Sequence, residues 1–302
     1  MHHGPYGYFS FSGDRVTGIV EKPLSGAEPS PYANIVCHYI GDGRVFLEEL
    51  GHTKSTADNI YEIALTSLMS RHSFSFLPYE GPMAGLKYPW NVLDVMNVLF
   101  DGLETYKGKN VRVKSNVVIE GPVFIEDNVK IFENSKIVGP CYIGKDTIIG
   151  NNCIVRNSHI GADCVIGFDT DVTRSYVGDN CWFHSNYIGD SVLEGNIGMG
   201  GGARLANLRL DEGEISTVTH GKKTSTGRIK LGAMIGKDVR IGINASIMPG
   251  VKIGKNTFVG SGVVLDRDLP DDSFCMQKTD AFTVTKNSKS APKSRQTFKS
   301  KI

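Results

Sequence analysis

The chain has 302 residues, 40% of them apolar, and a formal net charge of +1. A near-neutral charge gives no electrostatic case for binding nucleic acid or an anionic membrane, and no run of about 18 apolar residues is present to span a bilayer. The N-terminus lacks the basic and apolar regions of a signal peptide. The six cysteines include no C-x-x-C pair, which predicts free thiols in a cytoplasmic protein.

Residues 1–88 have the patterning of a partial α/β segment. The stretch "DRVTGIVEKP" alternates between apolar and polar residues like a strand and then ends in a turn. The stretch "ADNIYEIALTSLMSRH" predicts a helix that begins at Asp58 or Asn59 as its cap.

Residues 89–108 predict a connecting helix. Its apolar residues recur at helical spacing, at Val92, Val95, Met96, Leu99 and Leu103. We expect this helix to pack the first segment onto the start of the structure that follows.

A strict repeat occupies residues 109–272. Large apolar residues recur every six positions, at Val113, Ile119, Ile125, Ile131, Ile137, Ile143, Ile149 and Val155, and again from Ile235 to Leu265. A period of six fits neither an amphipathic helix nor a simple alternating strand. It predicts a mainly β protein, a left-handed parallel β-helix whose coils have three flat faces. The large residue points inward, and glycine permits the turns.

Four cysteines share one position of this repeat, two residues before the large apolar residue: Cys141, Cys153, Cys164 and Cys181. They are predicted to be buried small residues rather than functional thiols.

The repeat is interrupted between Leu193 and Ile235, and residues 199–232 are predicted to form an extruded loop. The stretch "CWFHSNYIGDSVLEGNIGMGGG" places His184 just before this interruption, beside a tryptophan and a tyrosine. His184 follows an inward residue of the repeat, which predicts a surface position. The glycines would let backbone amides approach a ligand closely, so the interruption is a candidate binding site.

Residues 273–302 predict a basic C-terminal tail. The stretch "AFTVTKNSKSAPKSRQTFKSKI" is polar and poor in bulky apolar residues. Two interpretations stay open: a solvated tail, or a segment that contacts a phosphorylated ligand.

The stretches "VTGIVEKPLSGAEPSPYANIVCHYI", "ADNIYEIALTSLM" and "YPWNVLD", followed by hexapeptide repeats, resemble the sugar-1-phosphate nucleotidylyltransferases that carry a left-handed β-helix. The chain is most similar to the archaeal-type bifunctional N-acetylglucosamine-1-phosphate uridylyltransferases/glucosamine-1-phosphate N-acetyltransferases. The resemblance runs from about Tyr6 to Leu269, and "HSNYIGDS", "ANLRLDEGE" and "GRIKLGAMIGKDVRIGINASIMPGVKIG" are its most specific parts. It implies a homotrimer that acetylates glucosamine-1-phosphate with acetyl-CoA, in the synthesis of UDP-N-acetylglucosamine.

The resemblance also implies roles for individual residues. His184 matches the catalytic base, which takes a proton from the attacking ammonium. The residues implied to bind the sugar phosphate are Tyr187, Asn207, Arg174, Lys222 and Lys223, with Arg174 able to hold a phosphate at two points. The residues implied to bind acetyl-CoA are Gly201, Asn207, Leu208, Ile243, Ser261 and Lys278.

The sequence departs from the family in its first segment. The glycine-rich G-x-G-T-R loop that cradles nucleotide phosphates is missing. Lys22 and Asn34 match a sugar-phosphate site that would then be vestigial, and Gly85 replaces the aspartate that binds metal. Acetyl transfer needs no metal, and Mg²⁺ would matter only if nucleotidyl transfer were present.

Two family residues near the acetyltransferase site are also replaced, by Gly198 and Gly213. Three hypotheses therefore stay open. The chain is a sugar-phosphate N-acetyltransferase, a nucleotidylyltransferase that is truncated or completed by a partner chain, or a non-catalytic trimeric assembly subunit.

Overall fold

The structure is a computed structural model that describes residues 6–57, 59–278, 281–288 and 290, and the side chains of residues 278 and 281–283 are outside that description. The predicted cap Asp58 and half of the predicted tail, residues 279–280, 289 and 291–302, lie outside the described residues. The chain divides into two compact units, residues 1–81 and residues 82–302.

The first unit is a small α/β segment. Strands β1 (Gly7–Ser12) and β2 (Arg15–Glu21) pair as an antiparallel hairpin, followed by helices α1 (Gly43–His52) and α2 (Ile60–Arg71). Asn59 is the N-cap residue of α2, although its side chain makes no capping hydrogen bond. The hairpin and helices enclose a small core built on Val16, Ile19, Leu65 and Met69.

The second unit begins with helix α3 (Asn91–Phe100) and continues as a parallel β-solenoid, which confirms the predicted β-helix of hexapeptide repeats. Its short strands form three sheets, called face 1, face 2 and face 3 below, and each coil visits the faces in turn.

Face 3 consists of β3 (Tyr106–Lys107), β6 (Val123–Ile125), β9 (Cys141–Ile143), β12 (His159–Ile160), β15 (Tyr176–Val177), β18 (Val192–Leu193), β23 (Met234–Ile235) and β26 (Lys252–Ile253). Face 1 consists of β4 (Arg112–Val113), β7 (Lys130–Ile131), β10 (Ile148–Ile149), β13 (Val165–Ile166), β16 (Trp182–Phe183), β19 (Gly198–Met199), β24 (Arg240–Ile241), β27 (Phe258–Val259), β29 (Ser273–Lys278) and β30 (Ala281–Lys286). Face 2 consists of β5 (Val118–Glu120), β8 (Lys136–Val138), β11 (Ile154–Arg156), β14 (Asp171–Thr173), β17 (Tyr187–Gly189), β20 (Arg204–Leu205), β25 (Ser246–Ile247) and β28 (Val264–Leu265).

The large apolar residues of the repeat fill the inside of the solenoid. Ile131, Ile137, Ile143 and Ile149 are all 0% exposed, which confirms the inward direction that the period of six predicts. The four cysteines of the repeat are buried as well, in the same continuous core.

The turns between faces use asparagine and aspartate where the sequence pattern suggested glycine. Asn134 and Asp169, for example, adopt left-handed backbone angles, with φ values of 63° and 55°, which these two residue types tolerate. The repeat glycines instead allow coils to stack closely. A Cβ on Gly144 would stand 2.5 Å from the backbone carbon of Gly161 on the next coil.

The extruded segment starts later than residue 199. Strands β19 and β20 stay in the solenoid because Met199 and Leu205, which are 1% and 0% exposed, fill its interior. The chain leaves the coil at Ala206 and forms an antiparallel hairpin, β21 (Ile215–Thr219) and β22 (Lys222–Arg228). The glycine-rich run therefore lies on the solenoid, not in the loop.

Helix α3 buries a stripe that matches the predicted one in part. Met96 is buried, and Val92 and Leu103 pack against the same cluster, as predicted. Leu93, Met96 and Phe100 are buried, whereas Leu99 is 71% exposed. The buried stripe packs on Tyr176 and Met234 of face 3, which lie in the middle of the solenoid rather than at its start. The helix also holds the extruded hairpin, because Ile215 joins the same cluster and Arg228 forms an ion pair with Asp94.

The end of the chain extends the solenoid beyond residue 272. Strand β29 pairs in parallel with β27, and β30 folds back on β29 in antiparallel register. Among the residues that the structure describes, no helix is long and apolar enough to cross a membrane.

Candidate functional site

His184 lies at the corner between face 1 and face 2, directly after the inward Phe183. It is exposed, as the sequence predicts, and its ring stacks on Trp182 with the centroids 6.1 Å apart. Its backbone N–H donates to Asn186 Oδ1 at 2.5 Å. Asn186 is fully buried and donates in turn to the carbonyls of Gly200 and Ala203. The local backbone that presents His184 is therefore fixed to the next coil.

Residues at this corner stack in a column along the solenoid, one for each coil: Phe168, His184, Gly201, Ile243 and Ser261. Backbone hydrogen bonds join the successive coils here: Ser185 to Phe168, Asn244 to Gly201, and Gly262 to Ile243. Stacked coils lie roughly 4.8 Å apart, so the column presents one residue to solvent at each coil.

The column brings three of the residues implied to bind acetyl-CoA beside His184. A Cβ on Gly201 would stand 3.6 Å from the carbonyl oxygen of His184. Within the described residues, the backbone N–H of Gly201 makes no hydrogen bond. Ile243 is 55% exposed and Ser261 is also exposed, so the column offers a backbone donor and an apolar side chain to a ligand.

Asp190 lies at the opposite edge of face 2, at the corner with face 3. Arg174 occupies the equivalent position one coil earlier, and both residues have left-handed backbones, with φ values of 47° and 48°. Arg174 donates from Nε and Nη2 to the two carboxylate oxygens of Asp190 at 2.7 and 2.8 Å. The ion pair uses two of the three donor nitrogens of Arg174. A phosphate that bound to Arg174 would therefore compete with the carboxylate of Asp190.

Asn207 joins the same corner at the point where the chain leaves the solenoid. It is 9% exposed, and its Nδ2 donates to Asp190 Oδ2 at 2.5 Å. Its Nδ2 and the hydroxyl of Tyr187 lie 2.7 and 2.6 Å from the same point, where a Cβ on Gly189 would stand. Burial raises the pKa of the Tyr187 hydroxyl, and the carboxylates of Asp190 and Asp171 raise it further. Tyr187 is therefore present as the neutral phenol near neutral pH.

A cleft of about 660 Å³ runs across face 2 between these two corners. Its lining is polar at both ends: Asp169, Asp171, Asn186, Tyr187, Arg204, Ala206, Asn207 and Leu208. Three implied ligand-binding residues, Tyr187, Asn207 and Leu208, thus share one cleft, and Asn186 connects it to His184.

The structure does not bring the implied lysines into this cleft. Lys222 and Lys223 are exposed on the extruded hairpin, which is anchored over face 3 by Thr217, whose hydroxyl donates to the Gly250 carbonyl at 3.0 Å. The backbone of Lys278 belongs to β29, and its side chain lies outside the described residues.

Lys22 and Asn34, which match the sugar-phosphate site, both lie in the first unit. Lys22 Nζ forms an ion pair with Glu21 at 2.9 Å. Asn34 is 5% exposed, and its side chain accepts from the Val36 N–H at 2.8 Å. Across the described ranges, the structure contains no group of three or more His, Cys, Asp or Glu side chains arranged to hold a metal ion.

Sequence reasoning missed Asp190, Asn186 and Phe168. A usable signal for Asp190 was present, because Arg174 and Asp190 are opposite charges about one coil apart in a repeat whose coils stack. Phe168 is 59% exposed one coil before His184, and an aromatic residue at a repeat position that faces solvent was the corresponding signal.

The bacterial transferase hexapeptide (six repeats) family matches residues 122–157 and 232–267. The chain is 38% identical, over 208 residues, to the bifunctional sugar-1-phosphate nucleotidylyltransferase/acetyltransferase of Sulfurisphaera tokodaii, covering 68% of this chain and 52% of the relative. It is 33% identical, over 294 residues, to the bifunctional protein GlmU of a Methanococcus maripaludis strain, covering 90% of this chain and 66% of that relative.

The chain thus spans about half the length of the first of these relatives and under two thirds of many others. Among solved structures, it is similar to the UDP-N-acetylglucosamine acyltransferase from Campylobacter jejuni at 15% identity and a TM-score of 0.42, over 58% of this chain and 74% of that one. At that TM-score the likeness carries no functional argument.

Proposed function

We propose that this hexapeptide-repeat protein, a relative of the bifunctional sugar-1-phosphate nucleotidylyltransferase/acetyltransferases, transfers an acetyl group from acetyl-CoA to the amino group of a sugar phosphate, with glucosamine-1-phosphate as the acceptor. The observation that carries the proposal is the position of His184, which is exposed at the corner of face 2 and is joined by its backbone N–H to Asn186, a residue of the cleft that Tyr187 and Asn207 also line.

The column at the His184 corner suits the cosubstrate. The pantetheine arm of CoA is a narrow chain with amide groups and an apolar stem, and the thioester must reach the base. Ile243 and Ser261 lie along this column, and the N–H of Gly201 is available to the thioester oxygen. We place acetyl-CoA along the column with its thioester beside His184.

The chemistry then follows from these positions. His184 accepts a proton from the ammonium of the sugar, which frees the nitrogen lone pair. The amine attacks the thioester carbon, and the N–H of Gly201 stabilises the negative oxygen that forms. The C–S bond breaks, the departing CoA thiolate takes up the second proton that the attacking nitrogen loses, and the sugar carries a new amide. His184 then releases the first proton to solvent.

The oligomer belongs to the proposal as well. We propose a homotrimer with parallel solenoid axes, in which the lysines of the extruded hairpin serve the cleft of a neighbouring subunit. All six cysteines are free thiols, which suits the reducing cytoplasm proposed for the enzyme.

The test is release of free thiol from acetyl-CoA in the presence of glucosamine-1-phosphate, galactosamine-1-phosphate, glucosamine-6-phosphate or glucosamine, with product masses measured. We expect thiol release that needs the amine, and a product that is heavier by one acetyl group. Absence of release with all four acceptors, from a correctly folded chain, would overturn the proposal.

A further inference from the structure

Asp190 is a buried carboxylate that two neighbours hold. It is 6% exposed. Arg174 contacts both carboxylate oxygens, at 2.7 and 2.8 Å, and Asn207 Nδ2 contacts Oδ2. A carboxylate that faces a guanidinium at two points accepts hydrogen bonds through both of its oxygens.

This pairing settles the orientation of the Asn207 amide. The amide could in principle face Asp190 with either its oxygen or its nitrogen. With the oxygen inward, two acceptors would meet at hydrogen-bond distance, so the NH₂ group must face the carboxylate. The hydroxyl of Tyr187 approaches the same point over Gly189 as the Asn207 Nδ2, and a hydroxyl oxygen can accept from the second N–H.

We propose that Asp190 is a positioning residue that fixes Asn207 with its amide oxygen toward the cleft, so that the ligand group docked there must be a hydrogen-bond donor. This inference rests on the proposed acetyltransferase activity. The two substrates each supply such donors: the amine and hydroxyls of the sugar, and the amides of the pantetheine arm. In both cases Asn207 accepts a hydrogen bond from the ligand.

Three variants test the orientation. Asp190→Asn removes the charge that forces the amide to turn, and Asn207→Asp places two carboxylates together. The double variant Asp190→Asn/Asn207→Asp reverses the pair, because the amide introduced at position 190 would donate to the carboxylate introduced at position 207. That carboxylate still presents an acceptor oxygen to the cleft, and the hydroxyl of Tyr187 can rotate to donate to it.

The control is Asp146→Asn. Asp146 also has a left-handed backbone, with a φ of 59°, and also accepts from an asparagine amide, Asn128 Nδ2, at 3.0 Å. It lies outside the cleft lining. It therefore reproduces the local change without touching the proposed ligand site.

The readouts are kcat, the KM for each substrate, and the free energy of unfolding of all four variants. We expect each single variant at the Asp190–Asn207 pair to lose about 100-fold in kcat/KM, and the double variant to recover about tenfold or more of it. A rise in the KM for the sugar assigns the donor to the sugar, and a rise in the KM for acetyl-CoA assigns it to the pantetheine arm.

Three results overturn the inference: unchanged kinetics in Asp190→Asn, no recovery in the double variant, or no energetic coupling between positions 190 and 207 in unfolding. A wild-type chain that acetylates no amine overturns the proposed function instead. The unfolding measurements need no substrate. They therefore still test whether Asp190 orients Asn207 if the wild-type chain has no acetyltransferase activity.

Discussion

The hydroxyl of Tyr187 lies directly over Gly189 on strand β17, 2.6 Å from the point where a Cβ would stand. The Asn207 Nδ2 lies 2.7 Å from the same point. The missing side chain is thus what allows the phenol and the amide to meet in the cleft. Tyr187 and Gly189, two residues of the short strand β17, thus define the geometry of the candidate sugar site.

Gly189→Ala is expected to impair substrate binding more than folding. Contacts of 2.6 and 2.7 Å are too short for a real Cβ, so Tyr187 and Asn207 must move. Both contacts are with the ends of side chains, which can shift without disturbing the backbone. We expect the KM for the sugar to rise about tenfold or more, and the melting temperature to change little.

The control for this change is Gly51→Ala, because a Cβ on Gly51 meets no atom within 4 Å. Equal KM values for Gly189→Ala and wild type would contradict the role assigned to the Tyr187–Asn207 contact.

Thiol labelling at pH 8 is expected to modify Cys37 alone. Burial raises the pKa of Cys141 and of Cys153 to about 11 and raises that of Cys164 well above its usual value, so the reactive thiolate form of these groups is scarce. Cys37 is exposed. Counting labelled thiols by mass spectrometry should give one for the native chain and all six after unfolding. Rapid labelling of the repeat cysteines in the native state would contradict their structural role.

Ile215→Ala is expected to release the extruded hairpin. Ile215 is 1% exposed and packs with Leu93 and Met96 of α3, and removing such a side chain costs about 2–5 kcal/mol. Trypsin should then cut after Lys222 or Lys223 roughly tenfold faster or more, because cleavage requires local opening.

The control is Ile229→Ala, at a site beside the same hairpin that is 60% exposed. Equal cleavage rates in the two variants would show that the contact with α3 does not anchor the hairpin.

The repeat could be predicted because each inward residue obeys a local rule. A residue such as Ile137 meets its neighbours through a fixed period, so its burial follows from spacing alone. The exposure of His184 could be predicted from the same rule. The buried side of α3 could not be predicted from spacing alone, because both Leu93 and Leu99 fit a helical period. Packing against face 3 decides which of the two is buried.

The contacts of the candidate site could not be predicted to the same extent. Asp190 and Asn207 are separated by 17 residues, and their contact depends on how the coil positions the start of the extruded segment. The position of Lys222 and Lys223 depends on where the hairpin folds back, and packing on α3 decides this. The sequence carries no periodic signal for the Asp190–Asn207 contact or for the position of these lysines.

The hairpin lysines are expected to act between subunits. They lie outside the cleft lining of their own chain, so a contribution to catalysis must reach another copy. The double variant Lys222→Ala/Lys223→Ala should lose activity and should be complemented by His184→Ala. When the two are unfolded and refolded together, random trimers should regain about a quarter of wild-type activity, since about one site in four combines both intact residues. No recovery in proven mixed trimers would contradict the shared site.

The most direct test of the central claim is thiol release from acetyl-CoA with glucosamine-1-phosphate, measured on the wild-type chain and on His184→Ala. His52→Ala is the control, because His52 is an exposed histidine at the end of α1. We expect His184→Ala to lose about 100-fold or more in kcat, with its fold intact, while His52→Ala keeps full activity. Equal rates for His184→Ala and wild type would contradict His184 as the base, and with it the site proposed on face 2.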